Sequence, residues 1–207
     1  MTPAPLSDSD IAARTDAYFN RTREIVAKFG DARVTYAIFL RRPVVSAPSI
    51  MVEWLQSVAR ARGQDFQIEL PHKEGAWVGA GEPLAYVTGS FVALSDLETL
   101  ALQKIGPACV AAHNAYQMAM ALPNAAFLAM EARHCAGAEM QEIMAYGCAV
   151  GSRAAQAEGA KGFIGNANDW TAHYFGAPRG YGTMPHALIG YANSTPVSYT
   201  HLTLPTK

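Results

Sequence analysis

The sequence has few cysteines, no excess of one charge and no long apolar run, and each of these absences excludes a class of protein. Cys109, Cys135 and Cys148 make an odd number without CxxC spacing, which argues against a disulfide framework and against a zinc site. All three lie among apolar or small residues. We therefore expect buried, neutral thiols.

The charge balance gives no sign of a nucleic-acid or membrane partner, because the net charge is -1 and there is no basic stripe. A local anion site is compatible with this balance, since a few backbone amides and one or two arginines suffice to bind a phosphate. No apolar run reaches the length of a membrane span. The polar, proline-containing start MTPAPLSDSD does not resemble a signal peptide. We expect a cytoplasmic protein.

Half of the 207 residues are hydrophobic, which is enough for one or two domains. Residues 1–122 contain segments with the 3.6-residue period of helices and others with the two-residue period of strands. This mixture predicts an α+β sandwich domain with a linking helix. Pro107 should kink or break the last helix of this part. The predicted helices are 11–29, 51–62 and about 94–120, and the predicted strands are 33–40, 66–70 and 84–91.

The stretch from residue 123 to 192 organises the chain. Three short apolar strands begin the segments NAAFLAMEARHCAG, KGFIGNANDW and RGYGTMPHALIGYA, and a helix over 139–157 separates the first two. This order predicts βαβ units and a parallel sheet. In such sheets and barrels the chemistry lies at the carboxyl ends of the strands. Those ends carry Glu131, Arg133, His134, Asn166, Asn168, Thr183 and His186.

Two local features of this stretch lead to further predictions. Gly147 and Gly151 lie one turn apart in the predicted helix, and we expect them to allow close packing of that helix on a strand. Asp169 is placed to cap a short helix over residues 169–175.

The last fifteen residues, NSTPVSYTHLTLPTK, do not continue the strand–helix alternation. A helix is expected after a third strand, but threonine, proline and serine follow without helical periodicity. We interpret residues 193–207 as a non-native, read-through tail; a genuine disordered tail is the alternative.

Five sequence segments resemble motifs of the nicotinate phosphoribosyltransferase family in their order and in their spacing along the chain, over about Thr15 to Ala192. They are TDAY at 15–18, GEPLAYVTG followed by LETLAL at 81–102, EARHCAGAEMQE at 131–142, GNANDWTAHYFGAP at 165–178 and GTMPHALIGYA at 182–192. The resemblance implies an α/β fold, in which an N-terminal α+β sandwich domain precedes an irregular TIM-like α/β barrel. Residues 123–192 would be the first three βα units of that barrel, so the chain would be C-terminally truncated.

The resemblance also implies an activity. The family transfers phosphoribosyl from phosphoribosyl pyrophosphate to nicotinate and forms nicotinate mononucleotide for NAD salvage. Many members couple this to ATP hydrolysis through a phosphorylated histidine and work as dimers or higher oligomers, so we expect a homodimer in the full-length parent. Mg²⁺ is implied because pyrophosphate substrates usually carry it.

Two residues match the family's motifs most directly. His186 stands where the Gly-Thr-x-x-His motif places the phosphorylated histidine, and an imidazole nitrogen is a competent nucleophile toward phosphoryl groups. Arg133 matches the arginine after the first barrel strand, where a guanidinium can pair with the nicotinate carboxylate or a phosphate. A salt bridge from Arg133 to Glu131 or Glu139 is the alternative.

The remaining expected substrate-binding residues are Tyr18, His134, Asn168 and Thr183. Tyr18 matches a family tyrosine that reaches the nicotinate site, often across the dimer interface, or else belongs to the apolar face of its helix. His134 replaces the second arginine found in many members, and Met130 replaces an aromatic residue. Asn168 aligns with a Ser-Asn pair and is otherwise a turn-capping residue. Thr183 can donate to an anion.

Two other readings stay open. A complete barrel needs about eight strands and ~250 residues, so this chain would be a catalytically incompetent fragment of the enzyme. A sister phosphoribosyltransferase that uses quinolinate or nicotinamide is the second reading. Quinolinate has two carboxylates and should demand a denser cluster of cationic side chains than Arg133 and His134 provide.

Overall fold

The computed structural model describes residues 6–182 and 185–192. The predicted tail 193–207 and Thr183 lie outside the described residues. The helices are α1 Asp8–Arg14, α2 Ala17–Phe29, α3 Ser49–Arg62, α4 Phe91–Leu94, α5 Glu98–Ala121, α6 Ala138–Ala157 and α7 His186–Ala192. The strands are β1 Arg33–Phe39, β2 Val44–Val45, β3 Gln67–Glu69, β4 Trp77–Val78, β5 Pro83–Ser90, β6 Phe127–Ala129 and β7 Phe163–Asn166. The α/β class is confirmed.

An antiparallel sheet in the order β1-β5-β3 forms the first layer. Its buried face packs against helices α3 and α5, and one apolar cluster joins Ile38 and Val87 of the sheet to Leu55 and Ile105 of the helices. The predicted strands over 33–40, 66–70 and 84–91 are confirmed, with ends shifted by at most one residue, because β-branched and aromatic residues alternate toward this cluster.

The predicted helix over residues 11–29 is wrong, since the structure has two helices, α1 and α2, with a break at Thr15. Thr15 is extended and buried, and its hydroxyl donates to the backbone carbonyl of Asp96 at 2.5 Å. The Asp16 carboxylate accepts from Thr99 at 3.0 Å. These contacts to residues about 80 positions away outweigh the local helical pattern.

Asp96 has a completely buried side chain and joins the helices of the first layer. Its carboxylate accepts two hydrogen bonds from the guanidinium of Arg62 and one from Arg23, each at 2.8 Å. Arg62 also donates to Asp8 at 2.9 Å. This network fixes α1, α2 and α3 to the segment before α5, because a buried carboxylate is stable only when it is paired.

Helix α5 runs without interruption through Pro107, so the expected break there is absent. The flanking residues Ile105, Ala108 and Cys109 are buried. Burial of this helix therefore outweighs the cost of one missing backbone hydrogen bond.

Helix α6 lies directly on helix α5, which is a close helix-on-helix contact and not the helix-on-strand contact that we predicted from Gly147 and Gly151. A Cβ atom on Gly147 would overlap the carbonyl oxygen of Ala108, and one on Gly151 would overlap that of Ala112. Only glycine lets the two backbones approach so closely.

Replacing Gly151 by alanine should therefore destabilise the protein. The added methyl would meet backbone atoms of Ala112, which cannot rotate away, so we expect a loss of about 2–3 kcal/mol in the free energy of unfolding, as for overpacked cores. Gly190→Ala is the control, because Gly190 is exposed in α7, a Cβ there meets open space and alanine favours a helix by about 0.5–1 kcal/mol. Urea denaturation measures both; equal stability of the two variants would contradict the close-packing argument.

Strands β6 and β7 form a parallel pair, as predicted, and α6 connects them. Phe127 lies opposite Phe163, and Ala129 lies opposite Asn166. The predicted third strand is wrong for the described residues. Tyr181 donates one backbone hydrogen bond to Asn166 at 2.7 Å, and α7 follows, so His186 begins a helix where we expected a strand end.

The largest apolar cluster crosses the predicted boundary at residue 122. Ile143, Tyr146 and Val150 of α6 belong to the same cluster as the first sheet. The division into domains at this boundary stays a prediction. Among the described helices, none has the length and apolar character needed to cross a membrane.

Candidate functional site

The candidate site is the edge at which β6 and β7 end. The strand register sets Ala129 beside Asn166, and the amide of Ala167 donates to the carbonyl of Ala129 at 3.1 Å. Glu131 and Asn168 each lie two residues beyond this pair. Because both strands run in the same direction, the polar residues that follow them lie at one edge of the sheet.

Arg133 lies in a 3₁₀ turn, Ala132–His134, which begins three residues after the end of β6, and both Arg133 and His134 are exposed. Within the described residues, Arg133 forms neither of the two salt bridges considered above. Glu139 pairs with Lys104 at 2.6 Å, and the carboxylate oxygens of Glu131 have no hydrogen-bond partner. The guanidinium of Arg133 is therefore available to an anionic ligand.

Asn168 organises the loop that follows β7. The amide nitrogen of Asn166 donates to the Thr171 hydroxyl at 2.5 Å, and that hydroxyl donates to the side-chain oxygen of Asn168 at 3.3 Å. The side-chain oxygen of Asn168 therefore caps the turn, in agreement with the turn-capping interpretation. Its amide nitrogen is buried and has no partner among the described residues, so this donor is left for a ligand.

Asp169 does not cap a helix over 169–175 as predicted. The structure has a 3₁₀ helix, Ala172–Phe175, and Asp169 accepts from the amide of Gly180 at 2.8 Å instead. This contact closes the loop, because it returns residues 178–181 to the end of β7.

The closed loop brings the backbone of Gly180, which follows Arg179, to this edge, and our sequence interpretation missed Arg179. Gly180 packs so closely on the backbone of Asn168 that a Cβ there would overlap it, and the exposed Arg179 directly precedes it. The loop sequence GAPRG gives no sign of this return. Glu131 and Asn166 were recognised as strand-end residues, but the sequence assigned them no role.

The environment of all three cysteines raises the pKa of the thiol and so favours its protonated form. Burial raises the pKa of Cys109 to about 11 and that of Cys148 to about 12, and the charge of Glu131 contributes at Cys148. Both thiols are buried and protonated, as expected. Cys135 is only half-buried, which corrects the expectation for this residue; burial and then Glu131 raise its pKa as well. Among the described residues, no group of three or more His, Cys, Asp or Glu side chains could hold a metal ion.

Comparison with solved structures identifies the fold. Nicotinate-nucleotide pyrophosphorylase from Pyrococcus furiosus superposes with a TM-score of 0.74 at 20% identity, over 98% of this chain and 50% of that one. Human nicotinic acid phosphoribosyltransferase gives 0.68 at 19% identity, over 86% and 40%. The Ehrlichia chaffeensis nicotinate-nucleotide pyrophosphorylase gives 0.60 at 14% identity, over 98% and 68%. No protein-family model and no curated protein matches the sequence.

The chain shares the fold of these structures over the part that superposes. It spans about half the length of the Pyrococcus furiosus structure, and less of the human one. At these identities the likeness establishes the fold alone. Within this fold, Arg133, His134 and Asn168 follow the carboxyl ends of the neighbouring strands β6 and β7.

For two of the predicted site residues, no described contact joins the side chain to this edge. Tyr18 is 59% exposed on α2, against Phe19, and no described hydrogen bond or ring contact joins it to the edge. Helix α2 has no buried residues, so Tyr18 does not belong to a core-facing surface within this chain. His186 is exposed at the start of α7. Their roles in a phosphoribosyltransferase site stay predictions.

Proposed function

We propose that this chain forms part of a phosphoribosyltransferase that makes nicotinate mononucleotide from nicotinate and phosphoribosyl pyrophosphate. The observation that carries the proposal is the exposed guanidinium of Arg133 at the carboxyl edge of a parallel strand pair, beside His134, with no acidic partner among the described residues. The phosphoribosyltransferase fold and the motifs of residues 15–192 support the same activity.

In this proposal Arg133 holds the nicotinate carboxylate through two parallel hydrogen bonds. The pyridine nitrogen then attacks C1 of the ribose, the bond from C1 to the pyrophosphate oxygen breaks, and pyrophosphate leaves with that electron pair. The contribution of the chain is mainly positioning of the two reactants. The amide of Asn168 and, outside the described residues, Thr183 would contact the phosphoribosyl group.

Three further assignments belong to the proposal through the family resemblance. His186 would accept the γ-phosphoryl group of ATP, so that ATP hydrolysis drives the transfer. Tyr18, exposed on α2, would reach the nicotinate site of a second subunit in a homodimer. Mg²⁺ would enter with the pyrophosphate of the substrate, because the described residues offer no carboxylate cluster to hold it and Mg²⁺ is commonly bound through substrate phosphates.

Quinolinate is the second candidate substrate, and Arg179 is the observation that favours it. Arg179 is an exposed cationic residue in the loop that returns to the end of β7, and a further cation there suits a ligand with two carboxylates, although the phosphates of the other substrate would suit it equally. Nicotinamide is less well matched, because it has no carboxylate for Arg133. If the chain binds nicotinate or quinolinate but forms no nucleotide, it is the catalytically incompetent fragment of the enzyme.

Arg133→Lys should weaken binding of the anionic substrate. Lysine keeps the positive charge but loses the planar pair of donors, so we expect a loss of roughly 1–3 kcal/mol in binding free energy. Titration calorimetry of the chain with nicotinate, quinolinate and phosphoribosyl pyrophosphate measures it, together with a product assay for the nucleotide. Arg42→Lys is the control, because Arg42 is exposed and lies in the segment between β1 and β2.

The pattern of losses identifies the ligand of Arg133. Weaker binding of nicotinate alone supports the proposed role, whereas weaker binding of phosphoribosyl pyrophosphate alone assigns Arg133 to a phosphate. Tighter binding and turnover of quinolinate would favour the second candidate. Unchanged binding of all three by Arg133→Lys would show that Arg133 is no ligand residue.

A further inference from the structure

Arg153 of α6 links two segments that are far apart in the sequence. Its Nη2 donates to the carboxylate of Glu74, in the segment between β3 and β4, at 3.4 Å. Its Nη1 donates to the backbone carbonyl of Tyr174 at 3.0 Å, and Tyr174 lies in the 3₁₀ helix of the loop that follows β7. One guanidinium binds both acceptors because its donors are separate and held in one plane.

Glu74 is a fixed anchor for this arginine. Its other carboxylate oxygen accepts hydrogen bonds from the Ser49 hydroxyl, at 2.5 Å, and from the Tyr146 hydroxyl. The Tyr146 hydroxyl in turn accepts from the Ser49 amide at 2.8 Å. Burial, and then the hydrogen bond to Glu74, raises the pKa of Tyr146, so the phenol stays a donor. Helices α3 and α6 therefore hold Glu74 together, and Arg153 connects it to the loop after β7.

The backbone that Arg153 binds leads to Asn168 through further hydrogen bonds. The Tyr174 amide donates to the carbonyl of Thr171 at 3.2 Å. The amide and the hydroxyl of Thr171 each donate to the side-chain oxygen of Asn168 at 3.3 Å. The amide nitrogen of Asn168 has no partner among the described residues. The direction of this free donor is therefore set by Thr171, and the position of Thr171 depends on the 3₁₀ helix.

The exposure of Arg153 argues against a role in stability alone. The exposed fraction of the side chain is 53% for Arg153 and 32% for Glu74, and such ion pairs contribute little to the free energy of unfolding. The Tyr174 side chain has contacts of its own, a hydrogen bond to Glu142 at 3.2 Å and the ring of Tyr146. Loss of Arg153 should therefore release the backbone of the 3₁₀ helix without unfolding the loop.

We propose that Arg153 is a positioning residue, which fixes the 3₁₀ helix Ala172–Phe175 to Glu74 and thereby directs the free donor of Asn168, an inference that rests on the proposed function. In that function Asn168 contacts the phosphoribosyl group and Arg133 holds nicotinate. Arg153 should therefore matter for one of the two substrates only. A residue that merely stabilised the fold would affect both.

Arg153→Ala should weaken the binding of phosphoribosyl pyrophosphate about ten-fold and leave that of nicotinate unchanged, since one hydrogen bond to a charged phosphate is misdirected. Titration calorimetry of the full chain measures both affinities. Arg153→Lys keeps the charge but offers one nitrogen for two acceptors, so its loss should be nearly as large. Arg60→Ala is the control, because Arg60 is exposed on α3, and it should bind both ligands like the wild type.

Asn168→Asp tests the route through Asn168. This variant keeps the side-chain oxygen that Thr171 binds and removes the amide donor. If Arg153 acts through that donor, adding Arg153→Ala to Asn168→Asp should cause no further loss of affinity for phosphoribosyl pyrophosphate. Additive losses, or an equal loss for nicotinate, would overturn the inference. Binding by Arg153→Lys at the wild-type level would also overturn it, because charge alone would then suffice.

Hydrogen exchange of the backbone amides without ligand separates this inference from the proposed function. The amides of Thr171 and Tyr174 should exchange faster in Arg153→Ala than in the wild type and in Arg60→Ala, while the urea midpoints of the three proteins agree. Unchanged exchange, or a lower midpoint for Arg153→Ala alone, would overturn the positioning role. Faster exchange in a chain whose wild type binds neither ligand would support the positioning of the loop and contradict the proposed function.

Discussion

Asp96→Asn is expected to lower the free energy of unfolding by about 3 kcal/mol, because it removes the negative charge from a buried network and leaves its arginines in place. The Asp96 carboxylate is completely buried and accepts three hydrogen bonds from Arg62 and Arg23. Only 7% of the Arg62 side chain is exposed, so water cannot replace the lost partner. An asparagine of the same shape has one acceptor oxygen where three guanidinium donors converge.

Asp8→Asn is the matched control for this prediction. Asp8 binds the same guanidinium of Arg62, at 2.9 Å, but 58% of its side chain is exposed. Exposed ion pairs contribute less than about 1 kcal/mol, so this variant should be nearly as stable as the wild type. Urea denaturation of both variants measures the difference. Equal losses, or a loss below about 1 kcal/mol for Asp96→Asn, would contradict the role assigned to the buried network.

The sequence predicts best those elements whose pattern is local. Helix α3 ends at Gly63, which has the left-handed conformation that favours glycine after a helix, and β1 and β5 follow their β-branched and aromatic runs. The parallel pair of β6 and β7 also follows from order alone, because an apolar strand, a helix and a second apolar strand have one common arrangement. The placement of Arg133, His134 and Asn168 at one edge comes from the same rule.

Features set by distant contacts are those that the sequence does not predict. The break between α1 and α2 depends on Asp96, 81 positions after Thr15, and no local pattern identifies that partner. Gly147 and Gly151 indicate a close approach, but only the tertiary structure shows that the neighbour is helix α5. The loop that carries Arg179 returns to the end of β7 because Asp169 binds the amide of Gly180. The free atoms of Glu131 and Asn166 are likewise visible only once the surrounding partners have been placed.

The prediction with the largest functional effect concerns His186. If ATP drives the transfer through a phosphorylated histidine, His186→Ala should abolish the phosphoenzyme completely, because no other group would replace the nucleophilic imidazole nitrogen. The side chain is exposed at the first residue of α7, which leaves it accessible to a nucleotide. Some uncoupled transfer should persist, since breaking the bond from C1 to pyrophosphate depends mainly on positioning of the substrates.

The measurement is incubation of the chain with γ-labelled ATP, followed by a test for label that is stable to base and released by acid. His173→Ala is the control, because His173 is also exposed and its ring packs on Tyr174 at 4.1 Å, outside any role assigned here. The wild type and His173→Ala should carry the label, and His186→Ala should carry none. Equal labelling of all three would place the phosphoryl group on another residue, and absence of label from the wild type would remove ATP coupling from the proposed function while leaving the role of Arg133 untouched.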